Sequence, residues 1–289
     1  MQIDKQVSSR AVALETTLLV HGVPTDSAAT LANELGAIVA EQGSTPALIG
    51  VLDGKPTVGM SMDQLQSMLD AESVPKANTA NLGVYIHQGS HAATTVSTTM
   101  EIAAFAGLRV FATGGLGGIH EGYGTQLDIS ADLMAFTRFP IAVVTSGVKS
   151  ILDVVSTREA LESLGVTVVG FKTDSFPAFY LRESEAQVDI RFDDVDSLAE
   201  FVRLELPRSG RGIVIANPIP EADELDAGLW NKWLKKARKL AEADGVRGRD
   251  VTPAVLGYLH QISDGETLRA NIALIKSNTE LAAMIESRL

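Results

Sequence analysis

The sequence has 289 residues, enough for one large α/β domain or two small ones, and its 45% hydrophobic and 21% charged residues are typical of a globular protein. It contains no cysteine, which excludes disulfides, thiolate metal sites and a cysteine nucleophile. The net charge of -12, from 24 basic and 36 acidic residues, argues against general nucleic-acid binding, because the phosphate backbone needs a basic surface.

No segment has the pattern of a membrane span or a secretory signal. The apolar runs all fall short of the roughly 18 residues that a transmembrane helix needs. The N-terminal stretch MQIDKQVSSR lacks the apolar core of a signal peptide. We therefore expect no membrane partner and a cytoplasmic location.

In the first third of the chain, short apolar runs alternate with helical patterns. AVALETTLL (residues 11–19) predicts a strand, and TDSAATLANELGAIVAEQG (25–43) predicts a helix. PALIGVLDGKPTVGM (46–60) has two β-like arms around Asp53-Gly54, which is a strong hairpin signal.

The same alternation continues to the C-terminal part, which is mostly helical. Further strands are predicted at 108–115, 140–147, 166–171 and 212–220, and further helices at 94–107, 157–165 and 197–206. No repeat or Pro/Ser-rich linker interrupts the pattern, so we predict one domain over residues 1–289. Its expected fold is α/β, a three-layer α/β/α sandwich with a largely parallel central sheet.

Ligands of parallel sheets bind beyond the carboxyl ends of the strands. Lys149, the TGGLGG loop and Asn217 each follow such an end. The one basic cluster, NKWLKKARKL (231–240), lies elsewhere and has helical spacing. That spacing favours a solvated helix face, with Trp230 and Trp233 toward the core, over a nucleic-acid patch.

FATGGLGGIHEGYG (111–124) carries six glycines after a predicted strand. Glycine-rich turns let backbone N–H groups approach an anion closely, although a merely tight turn would have the same composition. The loop matches neither G-x-G-x-x-G nor a P-loop, so it gives little support to a dinucleotide or triphosphate site.

LDISADL (127–133) places Asp128, Ser130 and Asp132 at alternating positions. Carboxylate and hydroxyl oxygens suit a hard divalent cation such as Mg²⁺ or Mn²⁺. Asp and Ser are equally ordinary N-caps, here of a helix over ADLMAFTR, and the residues alone leave both interpretations open.

Two charged residues interrupt apolar segments. Glu15 lies within AVALETTLL, where burial would raise its proton affinity and suit it to general acid–base work, unless it occupies a solvated strand face. Lys149 follows the strand at 140–147 and opens a predicted helix. A lysine held in a dry pocket becomes a nucleophile toward carbonyls, while a snorkelling lysine at a helix start is the simpler alternative.

The remaining polar motifs are weak. His21, His87, His91, His120 and His260 have no zinc-type spacing, and we treat them as isolated histidines. G-x-S-x-G is absent, so the sequence does not support a serine hydrolase.

Taken together, a dozen segments resemble the pseudouridine-5′-phosphate glycosidase family, also called indigoidine synthase A-like proteins. They run in family order from residue 12 to residue 278: ALETT, HG, VLDG, the lone Lys76, TTVSTTM, VFATGGLGGIH, DISADL, SGVKSILD, FPAFY, VIANPIP, VTPAVL and ANIALIKSN.

The resemblance implies cleavage of a carbon–carbon glycosidic bond. Pseudouridine joins ribose C1′ to uracil C5, so protonation of a leaving heteroatom, the usual glycosidase tactic, is unavailable. In the family a lysine attacks C1′ as the ribose ring opens, and an imine forms. The family also implies homotrimers and a small-molecule C-nucleoside or nucleotide as substrate.

By their positions in these motifs, Lys149 matches the family's nucleophile and Glu15 its acid/base glutamate. Asp128 matches the aspartate that binds the metal ion, with Mn²⁺ expected. The other matched positions are substrate contacts, with Val96 on the base side and Asn271 bonded to the base: Lys76, Thr95, Val96, Thr113, Ser130, Ala131, Asp132 and Asn271.

The sequence also departs from the family pattern. The usual K-x-S-R-R-D is KANTANLG here, H-R-G is HEG with Glu121 in place of an arginine, and G-G-T-T-V is AATTV. Lost arginines and a gained acid would weaken phosphate recognition, since each charge-assisted bond contributes ~1.5–3 kcal/mol.

Three hypotheses follow. The first is reversible cleavage of pseudouridine 5′-phosphate to uracil and ribose 5-phosphate through a Lys149 imine. The second is the same chemistry on a different or unphosphorylated C-nucleoside. The third is a non-catalytic nucleotide or sugar-phosphate sensor, which would have no need of an imine-forming lysine.

Overall fold

The computed structural model describes residues 1–8, 10–124, 127–246 and 251–289. Within these ranges the strands are β1 (Asp4–Lys5), β2 (Ala11–Glu15), β3 (Thr45–Leu52), β4 (Lys55–Val58), β5 (Lys76–Ala77), β6 (Ala92–Thr94), β7 (Val110–Ala112), β8 (Ala142–Thr145), β9 (Thr167–Phe171), β10 (Ile190–Phe192) and β11 (Ile213–Ala216). The helices are α1 (Thr17–His21), α2 (Thr25–Glu41), α3 (Met62–Leu69), α4 (Leu82–Gln88), α5 (Val96–Phe105), α6 (Ala131–Phe136), α7 (Val154–Ser163), α8 (Val195–Ser209), α9 (Ala227–Ala243), α10 (Val251–Ile262) and α11 (Glu266–Glu286), with a 3₁₀ turn at Glu221–Asp223.

One sheet connects the strands in the order β1-β4-β3-β2-β7-β8-β11-β9-β10, with β6 paired to β3 and β5 paired to β6. The run from β3 through β2, β7, β8, β11 and β9 to β10 is parallel throughout. Only the β3–β4 and β3–β6 pairings are antiparallel among the described strands. The predicted α/β fold with a largely parallel central sheet is confirmed; the assignment of all 289 residues to one domain stays a prediction.

Helices cover the sheet on both faces. α11 packs against β2, β7 and β8 together with α2 and α8, and α5 packs against β2 and β3 together with α6. β2, β8 and β11 are buried along nearly their whole length, as strands covered on both sides must be. Within the part of the chain that the structure describes, no helix combines the length and apolarity needed to cross a membrane.

The predicted hairpin is confirmed. β3 and β4 pair antiparallel from Leu52↔Lys55 to Ile49↔Val58. Asp53 and Gly54 have φ of 48° and 73°, and two consecutive positive φ values are what a type I′ turn requires.

Two boundary predictions are wrong. The predicted strand over 11–19 ends at Glu15, and α1 begins at Thr17 with Leu19 buried, because a short apolar run suits a buried helical turn as well as a strand. Lys149 does not open a helix: α7 begins at Val154, after Asp153 caps it by accepting from the Ser156 N–H.

Candidate active site

The carboxyl ends of β2, β7, β8 and β11 lie side by side, and the loops that follow them are joined by backbone hydrogen bonds. Leu116 N–H donates to Gly147 O at 2.9 Å, and Lys149 N–H donates to Leu116 O at 3.1 Å. Asn217 N–H, just past β11, donates to Thr145 O at 2.9 Å. The glycine loop, Lys149 and Asn217, each of which was predicted to follow a strand, therefore meet at the carboxyl ends of the strands.

A cavity of about 320 Å³ opens at this edge. It brings together four of the predicted site residues, Glu15, Lys76, Lys149 and Asn271. The rest of its described lining consists of Thr17, Leu18, His21, Gly22, Gly114, Gly115, Ser150, Ile151, Phe179, Tyr180, Trp230, Leu256, Gly257 and His260. A larger groove of about 690 Å³ beside the N-terminal residues holds none of the predicted site residues.

Glu15 is the last residue of β2 and points to the cavity with a fixed partner. The Thr113 hydroxyl, one residue past β7, donates to Glu15 Oε1 at 2.5 Å. Burial raises the pKa of the Glu15 carboxyl, while Lys149, the Thr113 bond and Lys76 oppose the rise and Asp132 adds to it. A carboxyl with a raised pKa is suited to exchange protons near neutral pH.

Lys76 and Lys149 share the cavity with Glu15. Lys149 is partly buried in the loop after β8, and Lys76 lies in β5, which pairs with β6. Although Lys76 keeps solvent exposure, burial lowers the pKa of its ammonium, Lys149 lowers it further by repulsion, and Glu15 partly compensates. Two amines and one carboxyl therefore interact electrostatically in one cavity.

The glycine loop is partly a ligand surface and partly internal packing. Gly114 and Gly115 line the cavity. A Cβ on Gly115 would lie 2.4 Å from the Phe179 ring, and one on Gly117 would lie 2.3 Å from Ser130 Oγ. Since the Gly117 N–H donates to Asp132 Oδ2 at 2.8 Å, that donor does not face a ligand.

Asp132 is buried and holds the loop to a neighbouring helix. Its Oδ2 accepts from Gly117, and its Oδ1 accepts from the Ser97 N–H at 3.0 Å. Ser130 is the N-cap of α6, accepting from the Asp132 N–H at 3.2 Å, so the capping interpretation holds for Ser130.

Several predicted substrate contacts lie beside the cavity rather than in its wall. Thr95 donates to Ala77 O at 3.0 Å and precedes the buried Val96, the first residue of α5. Ala131 begins α6 nearby, since α5 and α6 pack together. The first three side chains of the VTPAVL motif lie outside the described residues. The substrate roles of all these positions remain predictions.

Asp128 has chemistry that suits a divalent cation. Its carboxylate is 43% exposed, and Oδ2 lies 3.8 Å from His120 Nδ1. Among the described residues, no three His, Cys, Asp or Glu side chains are grouped as a metal site. A hard cation at Asp128 would therefore complete its coordination with water or substrate oxygens, as Mg²⁺-like ions commonly do. The residues present fit such a partly hydrated ion.

A buried amide network supports the cavity from beneath. Asn278, fully buried on α11, donates from Nδ2 to Thr113 O at 2.8 Å. Its Oδ1 accepts from Asn217 Nδ2 at 2.9 Å, and Asn217 O accepts from the Ser146 hydroxyl at 2.9 Å. The network ties α11 to the ends of β7, β8 and β11, and it lies directly beneath Thr113, the partner of Glu15.

Sequence reasoning missed the aromatic and histidine parts of the wall. Tyr180 lies between Phe179 and Trp230, with ring centroids 4.7 Å and 5.1 Å apart. Trp230 is buried as predicted but also lines the cavity. His21 and His260 line it too, and only the FPAFY and HG motifs hinted at any of these positions.

Glu121 is paired rather than isolated. Arg238, on α9, donates to Glu121 Oε2 at 2.7 Å and to Ile151 O at 3.3 Å. Arg238 belongs to the basic cluster that we predicted to be a solvated helix face. It lies at the edge of the site, next to the cavity-lining residue Ile151. The charge of Glu121 is locally compensated.

Known proteins are similar to this chain over nearly its whole length. The family model "Indigoidine synthase A like protein" matches residues 4–288. The pseudouridine-5′-phosphate glycosidase of Dinoroseobacter shibae is 41% identical over 97% of this chain and 92% of its own length. The enzyme of the same name from Caldanaerobacter subterraneus subsp. tengcongensis is 42% identical over 96% and 91%.

Two solved structures are also similar to this chain. An indigoidine synthase A-like protein from Thermotoga maritima has a TM-score of 0.90 and 34% identity, covering 100% of this chain and 96% of that one. The prealnumycin C-glycosynthase AlnA, solved in complex with ribulose 5-phosphate, has a TM-score of 0.90 and 31% identity, covering 99% and 97%. The chain therefore belongs to the indigoidine synthase A-like family.

Proposed function

We propose that this protein reversibly cleaves the C-glycosidic bond of pseudouridine 5′-phosphate, giving uracil and ribose 5-phosphate through an imine on Lys149. The observation that carries the proposal is the single cavity that holds Lys149, Lys76 and Glu15, the last with a raised pKa. The names of the relatives support the same reaction class.

The proposed reaction opens the ribose before it cleaves the carbon–carbon bond. The ring oxygen takes a proton as its bond to C1′ breaks, and the base releases its N1 proton and forms a double bond from C5 to C1′. The Lys149 amine adds to C1′ and loses a proton, while C5 gains one.

The cleavage step then needs no external oxidant or reductant. The nitrogen lone pair of Lys149 forms the C=N bond as the C1′–C5 bond breaks. The electron pair of the broken bond enters the ring, where N1 regains its proton, so uracil leaves intact. Water hydrolyses the imine and frees the lysine.

Glu15 is proposed to move the protons in these steps. Because burial raises the pKa of its carboxyl, Glu15 can both accept a proton from one position and return it to another. The Thr113 hydroxyl holds Oε1 and stabilises the ionised form. The other carboxyl oxygen of Glu15 is proposed to face the reacting groups.

Lys76 and a divalent cation are proposed to serve the sugar-phosphate end. A lysine ammonium binds phosphate as a point charge. Asp128, with His120 beside it, would hold Mn²⁺, which when bound would neutralise charge on substrate oxygens. Thr95, Ser130 and Ala131, at the starts of α5 and α6, are proposed to contact the substrate, and Val96 is proposed to contact it on the base side.

An unphosphorylated C-nucleoside is the second candidate substrate, and one observation favours it. The described lining of the cavity contains two lysines and no arginine. A dianionic phosphate is usually held by several charge-assisted donors, and arginine is over-represented among them.

We also propose that the chain forms a homotrimer in the cytoplasm. The segment that carries Asp128 exposes the apolar side chains of Leu127, Ile129 and Met134, which suits a contact between subunits. A sequence without cysteine suits a reducing compartment.

The test combines turnover with trapping. Purified protein with Mn²⁺ is given pseudouridine 5′-phosphate or pseudouridine, and uracil release is followed. In parallel, borohydride is added with ribose 5-phosphate, and a peptide map locates the adduct. Uracil release with an adduct on Lys149 supports the proposal; a protein that releases no uracil and forms no adduct contradicts it and favours a sensor.

A further inference from the structure

His260 lies in the cavity wall but has no part in the chemistry described above. It is a residue of α10, partly buried, and it lines the same cavity as Lys149 and Asn271. Its Nδ1 lies 2.9 Å from the hydroxyl of Thr267, which is fully buried in the first turn of α11. The imidazole is therefore held by protein at Nδ1, and Nε2 has no hydrogen-bond partner among the described residues.

The surrounding hydroxyls assign the tautomer. Ser263 Oγ lies 2.9 Å from Thr267 Oγ1 and 3.5 Å from His260 O. The shorter distance favours a hydrogen bond from Ser263 to Thr267, because 3.5 Å is at the limit of a hydrogen bond. Thr267 then gives its own hydrogen to His260 Nδ1, which leaves the proton of the neutral ring on Nε2.

Asn271 supplies the complementary group. Its side chain is 8% exposed, and within the described part of the chain its Oδ1 is buried without a hydrogen-bond partner. Because a buried acceptor left unpaired is destabilising, such an atom in a cavity wall marks the place of a ligand donor. The helices after residue 226 thus present one N–H donor and one carbonyl acceptor to the same cavity.

We propose that His260 is a specificity-determining residue for the leaving base, donating from Nε2–H to a ring carbonyl oxygen while Asn271 Oδ1 accepts from a ring N–H. The ligand class is a base with a lactam or imide edge. This rests on the proposed function, because uracil is such a base. A donor at a ring carbonyl also stabilises the electron density that enters the ring when C1′–C5 breaks.

Two further observations agree with this assignment. Burial lowers the pKa of His260, so the neutral ring that the hydroxyl network requires is the favoured form. Phe179, Tyr180 and Trp230 line the same cavity with apolar ring surface, which suits the apolar faces of a base.

The test measures uracil binding separately from turnover. Calorimetry with uracil, in the presence of ribose 5-phosphate, compares wild type with His260→Phe, which keeps a ring without a donor, and His260→Gln, which keeps a donor. His87→Phe, an exposed histidine on α4 outside the cavity, is the matched control. Thermal melting checks that each variant is folded.

We expect His260→Phe to weaken uracil binding about three- to tenfold, with His260→Gln between it and wild type and His87→Phe unchanged. The rate of borohydride trapping of ribose 5-phosphate should stay the same in all four proteins. In 2-thiouracil and in 4-thiouracil, sulfur replaces one carbonyl oxygen of uracil. Wild type should bind one of these two analogues more weakly than it binds uracil. His260→Phe should bind that same analogue and uracil equally well.

Uracil affinity that is equal in wild type and His260→Phe would overturn the inference, as would a wild type that binds no uracil. A wild type that binds uracil through His260 but neither turns over nor forms the adduct would leave the inference standing and remove the proposed function. The two failures are therefore distinguishable.

Discussion

The cavity has two walls of different construction. The strand-end wall, formed by Glu15 and Lys149 with the fully buried Thr113 bonded to Glu15, follows parallel strands whose loops are fixed to one another by backbone hydrogen bonds. The helical wall, formed by Trp230, His260 and Asn271, comes from α9, α10 and α11, and it contains a buried acceptor without a partner.

The difference between the walls indicates that bond cleavage and the choice of base depend on different parts of the cavity. A sheet edge holds reacting groups in place because each strand end is anchored by its neighbours on both sides. Helices that close over the edge can change their side chains without disturbing those groups. The strand-end wall should therefore control whether bond cleavage occurs, and the helical wall which base is cleaved.

The sharpest way to break the comparison is to remove the nucleophile. Lys149→Ala should reduce turnover below detection and abolish the borohydride adduct, while the melting temperature stays near that of wild type. Lys149→Arg should fail equally, because a guanidinium does not form the imine. Lys235→Ala, an exposed lysine on α9, is the control. Substantial activity in either Lys149 variant would remove the imine mechanism.

The next largest effect is expected for Glu15, the proposed proton-transfer group. Glu15→Gln should lower kcat by about 10²–10⁴, the usual contribution of a positioned acid or base. Uracil release over a pH series measures it, and uracil affinity should change little, since Glu15 belongs to the strand-end wall. A variant that loses uracil binding while kcat stays near that of wild type would show that Glu15 holds the base rather than moves protons.

Thr113→Val tests how the Thr113 hydroxyl affects the pKa of the Glu15 carboxyl. The hydroxyl bond lowers the pKa of Glu15, so its removal raises that pKa further. The limb of the kcat/KM profile that belongs to Glu15 should then move to higher pH. Thr98→Val is the matched control, because Thr98 is also fully buried and its hydroxyl has no partner among the described residues. Equal profiles for Thr113→Val and wild type would count against Glu15 as the titrating group.

How far the sequence predicts these walls depends on what holds them. Glu15 and Lys149 are visible because they interrupt apolar runs, and Asp53-Gly54 identifies its own turn, since both signals are local. Arg238 is 117 residues from Glu121, and no local pattern indicates that they meet. His260 carries no motif at all. Contacts between distant segments depend on helix packing, which local patterns do not encode.

The amide network joins the two walls, and breaking it should lower the stability of the protein rather than its activity. Asn278→Ala removes the side-chain partner of Thr113 O and one of the two partners of Asn217 Nδ2, which keeps its bond to Ser277 Oγ. A buried group left unpaired costs about 1–3 kcal/mol. Urea unfolding measures the loss. Thr279→Val, next to it on α11 and equally buried with an unpaired hydroxyl, should cost little. Similar losses for both variants would mean that packing, not the amide bonds, sets the cost.

The metal proposal predicts a smaller effect. Asp128→Ala should weaken Mn²⁺ binding about tenfold in calorimetry, with activity partly restored at high metal. Asp63→Ala, an exposed aspartate in α3, should leave Mn²⁺ affinity unchanged. Asp132→Ala should lower stability instead, because both of its oxygens accept backbone N–H groups. Unchanged Mn²⁺ affinity in Asp128→Ala would contradict the assignment.

The smallest expected effect concerns the pair that joins the walls at their rim. Glu121 and Arg238 are both substantially exposed, and such pairs contribute about 0.2–1 kcal/mol. If the phosphate of the substrate lies near them, Arg238→Ala should lower the ratio of kcat/KM for phosphorylated over unphosphorylated substrate, because a nearby cation is lost. Glu121→Gln should raise it, because the same cation is released from its carboxylate. Each change should be no more than about fivefold, given the exposure of the pair.

Arg203→Ala, an exposed arginine on α8 with an intrahelical partner, is the matched control. The measurement is the pair of kcat/KM values for pseudouridine 5′-phosphate and pseudouridine in each protein. Opposite shifts in the two variants would place the phosphate at this rim. Ratios that stay at the wild-type value would place it away from Arg238, with Lys76 and the metal ion as its remaining partners.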